Sequence, residues 1–274
     1  MSKPIVIYHG SCCDGYSAAW CFWSKYGDTY DYYKGVYNET PPDVTGCDVY
    51  LVDFSYTRPV VTEMLKVAKS ITLIDHHQTS ITNLANLDGL TYFTDLKRSG
   101  AMLAWLYLNY DKEPPQLIKH VQDRDLWLFK YPDTRNIQAG LFSYEYTFEN
   151  YDRLMALDAA GLKDLAIEGG AIERKHFKDI NELLDITKRE MFIGGYLVPV
   201  ACLPYTMASD AAHLMSKGQL FSATYFDTDT DRVFSLRSSP EGLDVAKIAE
   251  QYNGGGHQKS AGFKVPRDHD LAKA

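Results

Sequence analysis

No apolar run in this chain approaches the roughly 18 residues that a membrane-spanning helix needs. The N-terminus carries Lys3 but no apolar stretch behind it, so no secretory leader is expected. Cysteine is scarce. The five in 274 residues, with Cys12 and Cys13 adjacent and the rest scattered, form neither a paired secretory framework nor a CxxC zinc pattern. Reduced thiols, a soluble cytoplasmic protein and no membrane partner are the expectation. Basic charge is in short supply as well: 28 Lys and Arg stand against 36 Asp and Glu, a formal net charge of -8. That excludes long nucleic acid held on a broad basic surface, which needs clustered cations to neutralise phosphates. An anionic substrate would have to be bound locally, and bound divalent cations would cancel part of the acid excess. Repeats and low-complexity tracts are absent, and an apolar content of 45% is ordinary for a globular chain.

What is present concentrates at Asp75-His76-His77, one carboxylate and two imidazoles at the end of the apolar run from Ser70 to Ile74. If that run is a buried strand, the three residues leave its carboxyl end, where open α/β sheets bind ligands. Two further strand candidates end the same way. Pro4 to Tyr8 runs into His9-Gly10-Ser11-Cys12-Cys13-Asp14-Gly15, and Val49 to Val52 ends on Asp53. A helix is predicted from Ser17 to Tyr26, a weaker strand from Thr29 to Tyr37, and a helix from Thr57 to about Lys69 whose apolar positions form one stripe. This alternation predicts an α/β fold with a mostly parallel sheet and helices on both faces. In such a sheet the three polar strand ends share one edge.

Helices are also predicted from Ser99 to Tyr110 and from Pro114 to Val121, the second delivering Asp123-Arg124-Asp125. The composition then turns helical and charged from Phe148 to Arg189. Beyond it, Tyr196 to Leu203 reads as a strand, Ser209 to Met215 as a helix, and Leu220 to Phe226 with Arg232 to Leu236 as a hairpin around Asp227 to Asp231. A helix from Leu243 to Tyr252 leads into Gly254-Gly255-Gly256-His257. The expected organisation is an N-terminal α/β domain at 1–145, a helical connector at 146–189 and a smaller C-terminal α/β domain at 190–274.

His9, Asp14, Asp53, His76 and an acid from Asp123 or Asp125 make a mixed imidazole and carboxylate set. It suits Mn²⁺, with Mg²⁺, Fe²⁺, Co²⁺ or Zn²⁺ as alternatives, better than Ca²⁺, which prefers oxygen alone. Five such ligands exceed the needs of one ion, so two ions bridged by a carboxylate are the economical arrangement. Two metals about 4 Å apart can clamp a phosphoryl group undergoing in-line displacement. In the C-terminal unit, Gly255 and Gly256 would let backbone N–H groups approach an anion, His257 would add a donor, and Arg237 is the guanidinium placed to pair with a terminal phosphate. The Lys97-Arg98-Ser99-Gly100 helix start is a further place where an anion could sit.

The His9-x-x-Cys12-x-Asp14-Gly15 segment, the Val52-Asp53 strand end, Asp75-His76-His77 and the Gly254 to Phe263 motif together resemble the DHH phosphoesterase superfamily with its associated C-terminal domain. The resemblance spans nearly the whole chain, and its short two-domain plan is most like the oligoribonuclease (nanoRNase) and nucleotide phosphodiesterase branch. It implies that His9 and Asp53 hold a first metal, that Asp14, Asp53, His76 and Asp123 hold a second, and that Asp53 bridges them. Asp123 takes the fourth acid's place over Asp125. Asp75 would orient an imidazole and His77 would face the substrate phosphate. Where many members of the superfamily carry another aspartate, this chain has Cys12. That thiol is either a ligand favouring Zn²⁺ or Fe²⁺ over Mn²⁺ or a small buried hydrophobe.

The expected activity is a metal-dependent phosphodiesterase acting in an interdomain cleft on short oligonucleotides or linear and cyclic dinucleotides, releasing nucleoside monophosphates. A nucleoside-bisphosphate phosphatase, an inorganic pyrophosphatase and a nucleotide-binding sensor with impaired catalysis are the rival readings. A homodimer is compatible with the sequence.

Overall fold

The structure is a computed structural model and describes residues 2–10, 12–37 and 39–273. Its first unit, Met1–Glu173, is built on a five-stranded sheet of β1 (Ile5–His9), β2 (Asp31–Gly35), β3 (Asp48–Val52), β4 (Ser70–Asp75) and β5 (Leu90–Thr94). The order is β2-β1-β3-β4-β5 and every pairing is parallel, as the strand and helix alternation predicts.

The central strands alternate between two apolar faces, because successive side chains point to opposite sides of a pleated sheet. Val6, Tyr8, Val52 and Ile74 pack under α1 (Cys13–Tyr26), while Ile5, Ile7, Val49, Leu51, Ile71 and Leu73 pack under α2 (Arg58–Val67) and α3 (Gln78–Leu84). Each such side chain contributes about 1.5–3 kcal/mol by leaving water. On the α1 side lie α4 (Gly100–Leu108), α5 (Gln116–Asp125), α6 (Thr134–Phe142) and α7 (Phe148–Met155). The chain leaves β1 toward β2 on one side and returns to β3 on the other. That order reversal between β1 and β3 is where doubly wound sheets open a crevice.

Two features of this unit depart from the sequence reading. Helix α1 starts at Cys13, four residues earlier than expected, so Asp14 stands in its first turn and not in a loop. Gly15 permits this tight exit from β1, since a Cβ there would lie 2.6 Å from that of His9. The segment read as a connector is helical, but its first part belongs to this unit's core: Tyr151, Leu154 and Met155 of α7 and Leu162, Leu165 and Ala166 of α8 (Ala159–Thr187) are all buried there.

The second unit is Arg174–Ala274, so the division falls within α8. Its six-stranded mixed sheet has the order β10-β11-β9-β8-β7-β6, formed by β6 (Arg189–Ile193), β7 (Tyr196–Cys202), β8 (Ser222–Asp227), β9 (Asp231–Arg237), β10 (Gly255–His257) and β11 (Ser260–Pro266). Only β7 and β8 pair in parallel. Helix α10 (Val245–Glu250) covers one apolar cluster, α9 (Ala208–Ser216) with Phe177, Ile180 and Leu183 forms another, and α11 (Asp270–Lys273) follows the last strand. The hairpin around Asp227 to Asp231 is present, and Asp227 accepts two hydrogen bonds from Arg232 at 2.8 and 3.1 Å. Among the described residues, no helix is long and apolar enough to cross a membrane.

Candidate metal centre

Three adjacent strand ends deliver the site: His9 from β1, Asp53 directly after β3, and Asp75, His76 and His77 from β4. Asp53 takes the left-handed conformation, φ +53°, uncommon outside glycine, and its N–H donates to Ile74 O at 2.9 Å. Its side chain is 1% exposed and its two oxygens serve different neighbours. Oδ1 lies 3.1 Å from His76 Nε2, while Oδ2 faces His9 Nδ1 at 3.8 Å, beyond hydrogen-bonding distance. Burial favours the neutral acid, but the hydrogen bond with His76 and the nearby imidazoles of His9 and His77 hold Asp53 far below the usual carboxylate range.

His76 Nε2 is ringed by carboxylates, with Asp125 Oδ2 at 3.6 Å and Asp14 Oδ2 at 3.8 Å besides Asp53. Burial lowers the pKa of this imidazole, yet the Asp53 hydrogen bond and the charges of Asp125, Asp53 and Asp14 outweigh it and raise the pKa to about 10. Asp14 is itself held at the start of α4, where the N–H groups of Gly100 and Ala101 donate to its two oxygens at 2.6 and 3.0 Å. The helix start that the sequence offered as an anion site is thus filled by this chain's own carboxylate. Burial first, then the charges of Asp53 and Asp125, push the Asp14 carboxyl well up. Burial also raises Asp125. Crowding buried carboxylates in this way is costly unless positive charge is supplied.

Asp75 works behind the two histidines. Its Oδ1 accepts from the backbone N–H of His76 at 2.7 Å and of His77 at 3.2 Å, and from the His77 ring at 2.8 Å. A carboxylate only accepts, so the proton sits on Nδ1 of His77 and the imidazole Asp75 orients is that of His77. Burial favours a neutral His77, and the charge and hydrogen bond of Asp75 reverse this, lifting its pKa to about 9.

The expectation that Asp123 supplies the fourth acid is overturned by the geometry, which puts Asp125 beside His76. The Asp123 carboxylate is turned into its own loop, accepting from Lys130 N at 2.8 Å, Tyr131 N at 3.1 Å and the Thr134 hydroxyl at 2.7 Å. Two residues apart on an α-helix is a rotation of about 200°, so only one of the pair can face the strand ends. The fold-back that claims Asp123 places Trp127, Phe129 and Asp133 at positive φ, and nothing in their types announces it.

Cys12 is brought into the site and Cys13 is not. The donor atoms of His9, Cys12 and Asp53 lie within 4.8 Å of one another, as do those of Asp14, His76 and Asp125. Burial first, and then the charges of Asp53, Asp125 and Asp14, push the Cys12 thiol up. The fit to a divalent cation can be tested on atoms left over: among the described residues, buried His9 Nδ1 and Asp53 Oδ2 have no hydrogen-bond partner. A nitrogen and an anionic oxygen facing each other too far apart to bond, in a set of N, O and S donors, are what a transition-metal ion takes. The residues fit. Gly100, expected only as part of a helix start, has a further role, since its missing side chain makes room for Asp53.

In the second unit, two of the expected substrate residues, Arg237 and His257, fall on one row of the sheet. His257 pairs with Ser260 across β10 and β11, and Ser260 pairs with Arg237 across β11 and β9. Two strand spacings set the Arg237 and His257 backbones about 10 Å apart. Arg237 donates to Ser209 Oγ at 2.6 Å and to Leu236 O at 2.8 Å. Gly254 and Gly256 have a packing reason beyond any anion: Cβ atoms there would meet Gly262 O at 2.2 Å and Ser260 O at 2.5 Å. Gly255 lies between them on β10, opposite Gly262.

No protein-family model matches the chain. An uncharacterized protein of Acanthamoeba polyphaga mimivirus is 25% identical over 285 residues, which cover 94% of this chain and 66% of that protein. The chain therefore spans just under two thirds of that relative's length. Among solved structures, the DHH domain of a member of the s1p family of ribosomal proteins has a TM-score of 0.61 at 14% identity, over 96% of this chain and 83% of that one. RecJ from Thermus thermophilus, in complex with Mn²⁺, has a TM-score of 0.52 at 16% identity, over 95% of this chain and 49% of RecJ. These likenesses show the fold: the chain has the α/β fold of the DHH domain.

Proposed function

We propose that this chain is a divalent-metal-dependent phosphoesterase of the DHH type, a phosphodiesterase that hydrolyses short oligonucleotides or linear and cyclic dinucleotides to nucleoside monophosphates, with the oligoribonuclease (nanoRNase) plan. The observation that carries the reading is Asp53, whose Oδ1 faces His76 and whose Oδ2 faces His9, a carboxylate placed to serve two cation positions at once. The likeness in fold to a RecJ solved with Mn²⁺ supports it.

His9, Cys12 and Asp53 would hold one ion, and Asp14, His76, Asp125 and Asp53 the other. A bound pair supplies Lewis-acid stabilisation of the charge that builds on a phosphoryl group during in-line displacement. The protein's own residues do the remaining work. Asp75 accepts from Nδ1–H of His77 and stabilises the ring as the imidazolium, which leaves its Nε2–H to donate to a phosphate oxygen. The Gly100 and Ala101 N–H groups keep the Asp14 carboxylate from turning away. On the second unit, Arg237 and His257 share a row suited to gripping a terminal phosphate.

The test is a panel of linear and cyclic dinucleotides, short oligomers and nucleoside bisphosphates incubated with Mn²⁺-loaded protein, with products separated by chromatography. Nucleoside monophosphates from dinucleotides are expected. Release of inorganic phosphate from bisphosphates alone would instead make it a phosphomonoesterase.

A further inference from the structure

The centre is chemically lopsided. Asp14, His76 and Asp125 present two carboxylates and an imidazole, whereas His9, Cys12 and Asp53 present an imidazole, a sulfur and a carboxylate. Oxygen-rich sets suit Mn²⁺, and sulfur selects Zn²⁺ and other thiophilic ions over it. The two neighbouring thiols differ sharply in surroundings. Cys13 is buried in the core, its Sγ 3.9 Å from Gln138 Oε1 and 3.5 Å from the Tyr151 hydroxyl. Cys12 stands at the N-cap of α1 with its Sγ among the His9 and Asp53 donors. Its neighbours there, His9 Nδ1 and Asp53 Oδ2, are two of the buried polar atoms left without hydrogen bonds among the described residues, the latter on a side chain 1% exposed. A small apolar filler leaves two such buried polar groups unsatisfied, at about 1–3 kcal/mol each. A cation shared by all three donors satisfies them together.

Resting on the metal-dependent reading above, we infer that the centre is built for two unlike cations: Zn²⁺ held by His9, Cys12 and Asp53, and Mn²⁺ held by Asp14, His76 and Asp125, with Asp53 common to both. Three protein donors are the number catalytic zinc sites use. On binding, the Cys12 S–H bond is replaced by a sulfur–metal bond and the proton passes to solvent.

The test uses the metal-free full chain titrated with Co²⁺, a spectroscopic substitute for Zn²⁺. A sulfur-to-cobalt charge-transfer band in the near ultraviolet is expected in the native protein and in Cys13→Ser, and is lost in Cys12→Ser. After equilibration with equal Zn²⁺ and Mn²⁺ and removal of free metal, elemental analysis should find both metals in the native chain. In Cys12→Asp the Zn²⁺ to Mn²⁺ ratio should fall at least about tenfold. Binding of Co²⁺ with no charge-transfer band, or a native band in Cys12→Ser, overturns the inference and leaves the phosphoesterase reading standing. Failure of the native chain to bind any divalent ion overturns both. Should Cys12→Ser fail to fold, the native spectrum alone decides.

Discussion

Gly100 stands against Asp53 so closely that a Cβ on the glycine would lie 2.4 Å from the Cβ of the aspartate and 2.7 Å from its carboxylate carbon. The contact joins the first turn of α4 to a residue already in the left-handed region, so neither can shift without the other. Gly100→Ala is therefore expected to displace the Asp53 carboxylate while leaving both sheets intact. Divalent-metal affinity, measured by calorimetric titration, should fall at least about tenfold. Circular dichroism should be unchanged, and stability should drop by about 1–3 kcal/mol from overpacking.

Asp123 and Asp125 should separate cleanly. Asp123→Asn turns one of the two acceptor oxygens into a donor, so either Lys130 N or the pair of Tyr131 N and Thr134 Oγ1 loses its acceptor, and it is expected to cost about 1–3 kcal/mol in urea unfolding with metal affinity retained. Asp125→Asn removes a negative charge beside His76 and is expected to weaken metal binding with metal-free stability held or raised.

Leu51 is fully buried on the α2 face of the sheet and two residues before Asp53. Leu51→Ala should destabilise the first unit by about 2–5 kcal/mol, read as a lower urea midpoint.

The hairpin of the second unit carries a pH-dependent contribution. The Arg232 hydrogen bonds to Asp227, helped by Arg267, outweigh its partial burial and hold its pKa at about 2. A depressed carboxylate stabilises the fold fully above its unfolded value of about 4, and that contribution disappears as pH falls through about 2. Asp227→Asn should lower stability by about 1 kcal/mol at neutral pH, the side chain being partly solvated. The gap between native and variant should close between about pH 4 and pH 2 in urea titrations at stepped pH.

What was legible in the sequence were the features whose physics is local. β1, β3 and β4 announce themselves because their residues are apolar on both faces and end on polar ones, and that carried Asp53, His76 and the shared sheet edge with them. β5 did not, since Leu90 is its only buried residue. β11 carried a usable signal, Ala261, Phe263 and Val265 alternating inward, but its one glycine, Gly262, and the glycine-rich segment before it read first as a binding motif. The choice between Asp123 and Asp125 depended on the fold-back of 126–133, a tertiary event with three non-glycine residues at positive φ. No spacing rule reaches that.

In the proposed centre two cation positions depend on the single carboxylate of Asp53, and metal stoichiometry tests that dependence most directly. The native chain and Asp53→Ala are each equilibrated with Zn²⁺ and Mn²⁺, freed of excess and subjected to elemental analysis. About two ions per native chain are expected, against fewer than about one in Asp53→Ala, with dinucleotide hydrolysis lost. Two ions retained by Asp53→Ala, with hydrolysis at the native rate, would contradict the account.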